Sequence, residues 1–411
     1  MSVHPLAGPD AKLVATTVIV DDPPNLIDAA GEDGWLFAAG DVGIAGRGKA
    51  LRIELPGGIA DAAGRADVYS ALRSIECIDP LRLPGCGPVA IGALAFDPEE
   101  PGHLVVPAEI FGSDGTVSWK TTVTPAVEAP RVLRSGLSPE RFDLAPTMAH
   151  SEWTELVAET VRQIDAGAFA KVVLARCIEI EADRPFVISE LLERLAALYP
   201  SCTVFKVDDF LGASPELLIR RYGVEVESHP LAGTVARSGN TVGDEALIRA
   251  LMTARKTRRE HRVVVEAIAG SLASVCESLD VPETPSVMSL RNVSHLATRI
   301  TGRLSPQPPG VLDLVARIHP TPAVGGSPTD AALRYLQKVE GFERGRYAGP
   351  VGWLDSRGDG CFVLGIRSAE VAANRARIFA GNGIVAGSDP ASELTETQLK
   401  LQALLAALVR P

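Results

Sequence analysis

The chain has 411 residues, 46% hydrophobic and 22% charged, which is enough to bury a sizeable core and too apolar for a disordered protein. Asp and Glu number 51 against 40 Lys and Arg, a net charge of −11 that lacks the positive field favoured by nucleic acid or an anionic membrane surface. Taken over the whole chain, the same charge argues against small anions as ligands, an expectation tested below.

No apolar run reaches the roughly 18 residues of a membrane span. The stretch 1–12 holds Pro5, Gly8, Pro9 and Asp10 and no apolar segment, so no secretion signal is expected. The six cysteines are scattered without a CxxC pair, so neither a zinc site nor a disulfide framework is indicated. A reduced, cytoplasmic chain is the expectation.

In chain order, short strands broken by Gly and Pro are predicted at 13–20, 34–39, 51–55 and 89–96. Residues 122–147, with Pro125, Pro130, Pro139 and Pro146, read as a linker or a crossing between two halves of one domain. The patterns then sharpen. A helix is predicted at 153–165, where Leu156, Val157, Val161 and Ile164 share a face and Gly167 follows. Strand-like 171–180 and a helix at 188–198 come next, then strands at 203–207, 216–220 and 223–228. One long helix is predicted over 245–276. Strands at 296–304, 352–354, 361–369 and 376–380 precede an amphipathic helix over 392–409. Helices mixed with hairpin-spaced strands, without regular βαβ alternation, indicate α+β.

The last helix carries charges in a pattern. Glu393, Glu396 and Lys400 fall within about 60° of arc on one face. Leu394, Leu401, Leu404, Leu405 and Leu408 form a separate apolar stripe. Two readings are open: a solvated face with paired charges, or two carboxylates for a hard divalent cation beside a lysine for an anion. A second charged run, RKTRREHR (255–262), reads by default as another solvated face. Glu260 within it is either a salt-bridge partner or a further oxygen ligand, kept ionised by its basic neighbours.

Several motifs together resemble the chorismate-utilising enzymes. They are KVVLARCIEI (171–180), GASPELL (212–218), PLAGT (230–234), EH (260–261), HPTPAVGG (319–326), GPVGW (349–353), GIR (365–367), GNGIVAGS (381–388) and ELTETQLK (393–400). They stand in the family's order over residues 150–411, and GALAFDP (92–98) extends the likeness more loosely. The resemblance implies one large α+β domain, with a two-layered antiparallel β core flanked by helices. Residues 1–148 would be its scaffold portion and 149–411 its chorismate-binding portion.

Within the family the residues resemble the isochorismate synthases. Lys171 stands where water-adding members keep a general base and ammonia-using members a glutamine. Ala232 stands where some aminodeoxychorismate synthases place a nucleophilic lysine, so no covalent adduct is implied. The resemblance implies that Lys171 deprotonates water, which attacks C2 of chorismate. Glu216 would protonate the departing C4 hydroxyl. Free lysine titrates near 10.4, so a lysine base calls for burial or cationic neighbours, and a carboxylic acid active at neutral pH calls for desolvation.

The resemblance also implies Mg²⁺ held by Glu260 and Glu396, with Glu393 nearby, directly or through water. Tyr347 and Arg367 would contact the enolpyruvyl carboxylate. Lys400 and the backbone at Gly233, Thr234 and Gly383 would complete anion binding. His295 and His319 are each either a substrate contact or a structural histidine. Thr257 and Asn382 depart from the usual aspartate and alanine. The implied protein is a monomer without nucleic-acid or membrane partners, serving siderophore, salicylate or menaquinone synthesis. Its alternatives are a salicylate synthase, which goes on to eliminate pyruvate, and an idle chorismate-binding homologue.

Overall fold

The computed structural model describes residues 3–5, 12–126, 136–237 and 240–409. Most of the stretch 1–12 read for a leader, and residues 127–135 of the expected linker, lie outside the described residues.

Strands hydrogen-bond side by side into one long antiparallel sheet that doubles back on itself. Its first arm runs, in space, through Phe142–Pro146, Lys171–Ala182, Arg375–Val385, Ser368–Ala372, Phe210–Ser214, Thr203–Val207, Trp35–Ala39 and Val42–Leu55. Val42–Leu55 then pairs with Gly102–Ser113. From there a second arm runs through Val89–Ala93, Pro350–Asp355, Gly360–Leu364, Leu217–Tyr222, Glu225–His229, Ile300–Leu304 and Cys276–Asp280. A separate three-stranded sheet joins Leu231–Ala236, Val293–Ala297 and Ser286–Ser289.

The two arms face each other, and their inward side chains share one core. Val172, Leu174 and Phe379 from the first arm belong to the same buried cluster as Leu218, Phe362 and Leu364 from the second. Aromatic residues fill the other end, where Trp35, Phe37, Phe205 and Phe210 meet Ile91, Val351 and Trp353. Helices cover the outside of the first arm, their leucines packing on Ala369, Ala376 and Ala380. The molecule is thus a single α+β domain. Among the described residues no helix is long and apolar enough to cross a membrane.

Several elements differ from the sequence expectation. Residues 142–146 form an edge strand against Lys171–Ala182 and are not linker. The long helix expected over 245–276 is two, Thr241–Thr253 and Arg255–Ala273, with extended backbone at Ala254 (φ −64°, ψ 115°). Both halves pack on the strand Leu231–Ala236, and no Gly or Pro marks the break. The strand expected at 296–304 divides at Thr298 and Arg299 between the two sheets. The strand expected at 361–369 breaks before Ser368, beside Arg367 at φ 52°. The helices Ala62–Ser74, Val311–Ile318 and Thr329–Val339 had no expectation. Strand Val42–Leu55 runs through glycines that read as breakers. A Cβ on Gly46 would lie 2.4 Å from the Pro107 ring, so that glycine serves close strand packing rather than a turn.

One buried ion pair ties this scaffold to the strand Lys171–Ala182. Glu340 and Arg344 are 5% and 6% exposed. Arg344 Nε donates to Glu340 Oε2 at 2.7 Å, and its Nη atoms donate to the carbonyls of Val173 (2.6 Å) and Val324 (2.8 Å). Glu340 Oε1 accepts from the Ala175 N–H at 2.8 Å. Breaking such a pair leaves an uncompensated buried charge. Glu340→Ala should therefore cost about 3–5 kcal/mol in denaturant unfolding; a loss below 1 kcal/mol would show that the pair is not holding the strand.

Candidate active site

The strand Lys171–Ala182 is buried along its first seven residues. Lys171 opens it, paired in register with Val385 and Ser327, so its side chain projects at the end of the first arm. Lys171 is 2% exposed, and its Nζ lies 3.0 Å from Glu260 Oε1. Glu260 arrives on the first turns of the helix Arg255–Ala273. Gly383 makes the pair possible: a Cβ there would lie 2.4 Å from Glu260 Oε1 and 2.9 Å from Lys171 Cε. The group bonded to Lys171 is a carboxylate, where the sequence led us to expect cationic neighbours.

Glu216 immediately precedes the strand Leu217–Tyr222 of the second arm and is 4% exposed. Burial pushes its carboxyl up to about 8, against a hydrogen bond from the Leu231 N–H and the charges of Lys171 and Lys400. It is therefore mostly a neutral acid at pH 7.

Lys171 and Glu216 line one cavity of about 180 Å³. Gly233, Thr234, Glu260, His295, Tyr347, Arg367, Gly383, Glu393, Glu396 and Lys400 line it too. His319 does not. Its Nε2 donates to the Phe96 carbonyl at 3.0 Å, and burial lowers its pKa to about 4, so it is a neutral structural histidine.

A hydrogen-bonded arc runs around the cavity wall. Arg367 Nη2 donates to His295 Nε2 at 3.5 Å, which leaves Nδ1 as the protonated nitrogen, facing Thr234 Oγ1 at 3.1 Å. Burial first, then the charges of Arg367 and Lys400, lowers the His295 pKa to about 3, so the ring stays neutral. The Thr234 hydroxyl donates to Glu396. Lys400 Nζ lies 2.9 Å from Glu396 Oε1 and donates to the Gly381 carbonyl (2.9 Å) and Asn382 Oδ1 (3.0 Å). The Asn382 amide in turn donates to Glu393. Lys256 Nζ lies 3.4 Å from Glu393 Oε1.

Burial raises the Glu396 carboxyl, but Lys400 and the Thr234 hydroxyl outweigh it and hold the group below its ordinary value. Glu393 goes the other way: burial and the charge of Glu396 raise it against Lys256 and Ser388. Glu260, Glu396 and Glu393 are thus each matched to a lysine. Among the described residues no group of three His, Cys, Asp or Glu side chains is gathered tightly enough to hold a metal. The oxygen-only donors Glu260 and Glu396 fit a hard cation that keeps waters and takes substrate oxygens, provided both turn from their lysines.

Of the described cations that line the cavity, Arg367 is the one without a match. It is 8% exposed, has no carboxylate within ion-pair distance among the described residues, and donates only to His295 and the Lys400 carbonyl (3.4 Å). A buried, unpaired guanidinium beside Lys400 is a ready site for a carboxylate.

Three residues carry more than the sequence assigned them. Lys256 was only one of a basic run, although it lies one helical turn before Glu260 on the same face. Thr257 packs its methyl where a Cβ on Gly233 would sit (2.2 Å), and Gly233 has φ +75°, so only glycine serves there. Asn382, read as a departure from alanine, bridges Glu393 and Lys400.

With this geometry in hand, comparison with known proteins becomes specific. Residues 128–409 match the family model described as chorismate binding enzyme. The isochorismate synthase DhbC of Bacillus subtilis is 33% identical over 374 residues, 87% of this chain and 91% of that protein. The salicylate biosynthesis isochorismate synthase of Pseudomonas aeruginosa is 42% identical over 271 residues, 64% of this chain and 56% of that protein. The structure of MenF, the menaquinone-specific isochorismate synthase from Escherichia coli, superposes with a TM-score of 0.81 at 26% identity, covering 97% of this chain and 94% of that one. The chain belongs to the chorismate-binding enzyme family. Within it, the chain sits among the isochorismate synthases, which are isomerases.

The buried acid has a consequence for stability. Folding raises the pKa of Glu216 from its ordinary 4.5 to about 8, so the folded protein binds that proton more tightly than the unfolded chain. The stability this contributes is complete below pH 4.5 and is lost as pH rises through about 8. Glu216→Gln has no such proton to lose. Urea unfolding from pH 5 to 9 should show the variant gaining on the wild type by on the order of a few kcal/mol; parallel curves would contradict the buried acid.

Proposed function

We propose that this chain is a Mg²⁺-dependent isochorismate synthase in which Lys171 is the general base and Glu216 the general acid. The observation that carries the reading is that Lys171 and Glu216, a buried carboxyl whose pKa is raised to about 8, line one cavity with an unpaired, buried Arg367. A dicarboxylate such as chorismate needs a cationic cavity, and Arg367 and Lys400 supply one. Tyr347, 4% exposed and stacked on Phe379 with ring centroids 4.9 Å apart, gives that cavity a rigid wall.

In the reaction, Lys171 Nζ in its unprotonated form takes a proton from water. The water oxygen bonds to C2, the ring double bond shifts, and the C4–O bond breaks. Glu216 gives its proton to the departing hydroxyl, which leaves as water. Protons and oxygens balance, so substrate and product are isomers. Glu260 and Glu396 would hold the Mg²⁺, which would neutralise the ring carboxylate. Glu393 has one oxygen taken by Asn382 and the other facing Lys256, which suits it to a water-mediated role. Thr234, held by His295, and the backbone at Gly233 and Gly383 would complete the anion pocket.

Incubation with chorismate and Mg²⁺ should yield isochorismate without stoichiometric pyruvate, followed by chromatography and a lactate-dehydrogenase couple. Pyruvate release in step with turnover would instead indicate salicylate synthesis, and no product at neutral pH would overturn the reading. Chelation with EDTA should abolish turnover, and added Mg²⁺ restore it. Lys171→Ala and Glu216→Gln should each lower kcat by about 10²–10⁴-fold; full activity in either rejects that assignment. With Glu216 as the acid, kcat should fall as pH rises through about 8, whereas an undiminished rate at pH 9 would exclude it.

A further inference from the structure

Asn382 stands on the strand Arg375–Val385, paired in register with Leu174, and its buried side chain meets the C-terminal helix Pro390–Leu408. It lines the cavity, yet its amide is used inside the protein. Oδ1 accepts from Lys400 Nζ at 3.0 Å. Nδ2 donates to Glu393 Oε2 and, at 3.5 Å, to the Glu393 carbonyl. A lysine can only donate and a carboxylate only accept, so the two partners fix which way the amide points. A neutral amide suits this place, because an aspartate would repel Glu393 and a lysine would repel Lys400.

Glu393 and Lys400 are about two helical turns apart on one face, and Glu396 lies between them. The three carboxylates of the cavity are not held alike. Glu260 faces Lys171, and Glu396 is bonded by Lys400 and Thr234. Glu393 takes Asn382 and the Ser388 hydroxyl, and Lys256 Nζ lies 3.4 Å from its Oε1. Its side chain is 8% exposed, against 15% for Glu260 and 25% for Glu396. Glu393 is thus drawn back into the wall, one turn from a carboxylate that faces open space.

Charge gives that restraint a use. Two carboxylates neutralise a divalent cation, which can then accept a carboxylate of the substrate. A third would leave a net negative charge that repels one. We propose that Asn382 is a positioning residue that withholds Glu393 from the cation, so that the site keeps a place for the dianionic substrate. The inference rests on the cation and the dicarboxylate substrate proposed above. Asn382 touches no reacting atom and acts through Glu393.

The test is cation binding without substrate. Mn²⁺, a hard cation suited to the same oxygen donors, is titrated by electron paramagnetic resonance, with Mg²⁺ as competitor. Asn382→Ala should bind Mn²⁺ roughly ten-fold more tightly than the wild type. Its KM for chorismate at saturating Mg²⁺ should rise, with kcat less affected. In a Glu393→Gln background there is no carboxylate to release, and Asn382→Ala should then change Mn²⁺ affinity by less than about two-fold. A role confined to packing or to Lys400 would move both backgrounds alike. Urea unfolding checks that each variant folds. Should Asn382→Ala not fold, Asn382→Ser, whose shorter side chain cannot span both partners, should show the same gain. Unchanged or weaker Mn²⁺ binding in the single variant, or an equal gain in both backgrounds, overturns the inference and leaves the enzyme assignment standing. A wild-type protein that binds neither cation removes the cation from the functional reading, and the inference with it.

Discussion

The contact on which the site depends is the 3.0 Å pair between Lys171 and Glu260, and it exists because Gly383 has no side chain. A strand from residues 171–182 and a strand from residues 375–385 lie in register, and a helix crosses their end. Any Cβ at 383 would occupy the place of the Glu260 carboxylate. The proposed base, a proposed metal ligand and the floor of the anion pocket thus share one small volume. The strand that bears Lys171 is fixed in turn by Arg344 and Glu340, which bond its backbone at Val173 and Ala175. Precision at the cavity is therefore supplied by buried polar groups directly behind its wall.

The same arrangement explains how an acidic protein presents a site for an anion. The carboxylates that face the cavity are not free negative charge. Glu260, Glu396 and Glu393 are each matched by a lysine, and Glu216 is held mostly neutral by burial. What remains uncompensated is Arg367. The local balance is consequently positive, and the chain's net charge does not forecast it because that sum includes surface carboxylates screened from the cavity.

Much of the site was legible in the chain because helical spacing maps directly onto a face. Glu393, Glu396 and Lys400 lie together on the C-terminal helix as their spacing requires; they line the cavity, and Glu396 and Lys400 make the i,i+4 pair that the spacing allows. The strand at 171–180 was legible from its Val and Ile content. Other features were not. The helix break at Ala254 has no local signal, since both halves are helix-forming sequences separated by packing on a shared strand. Gly46 and Gly383 read alike in one dimension, yet one admits a proline ring and the other an ion pair. His295 and His319 were equivalent in the chain; only their surroundings show one bonded to Thr234 and Arg367 and the other to the Phe96 carbonyl.

By itself, then, the sequence determined the α+β class, from its local patterns, and the family, through motifs whose resemblance spans residues 150–411; the acid, base and carboxylate candidates are what that resemblance implies. The tertiary structure alone decided which charges meet and which stay alone. Lys171 with Glu260, Asn382 with Glu393 and Lys400, and Arg367 without an acid are relations between elements far apart in the chain. The protonation of Glu216 depends on burial, which no local stretch of residues specifies. Electrostatic energies depend on distance and on exclusion of water, and both are properties of the folded chain.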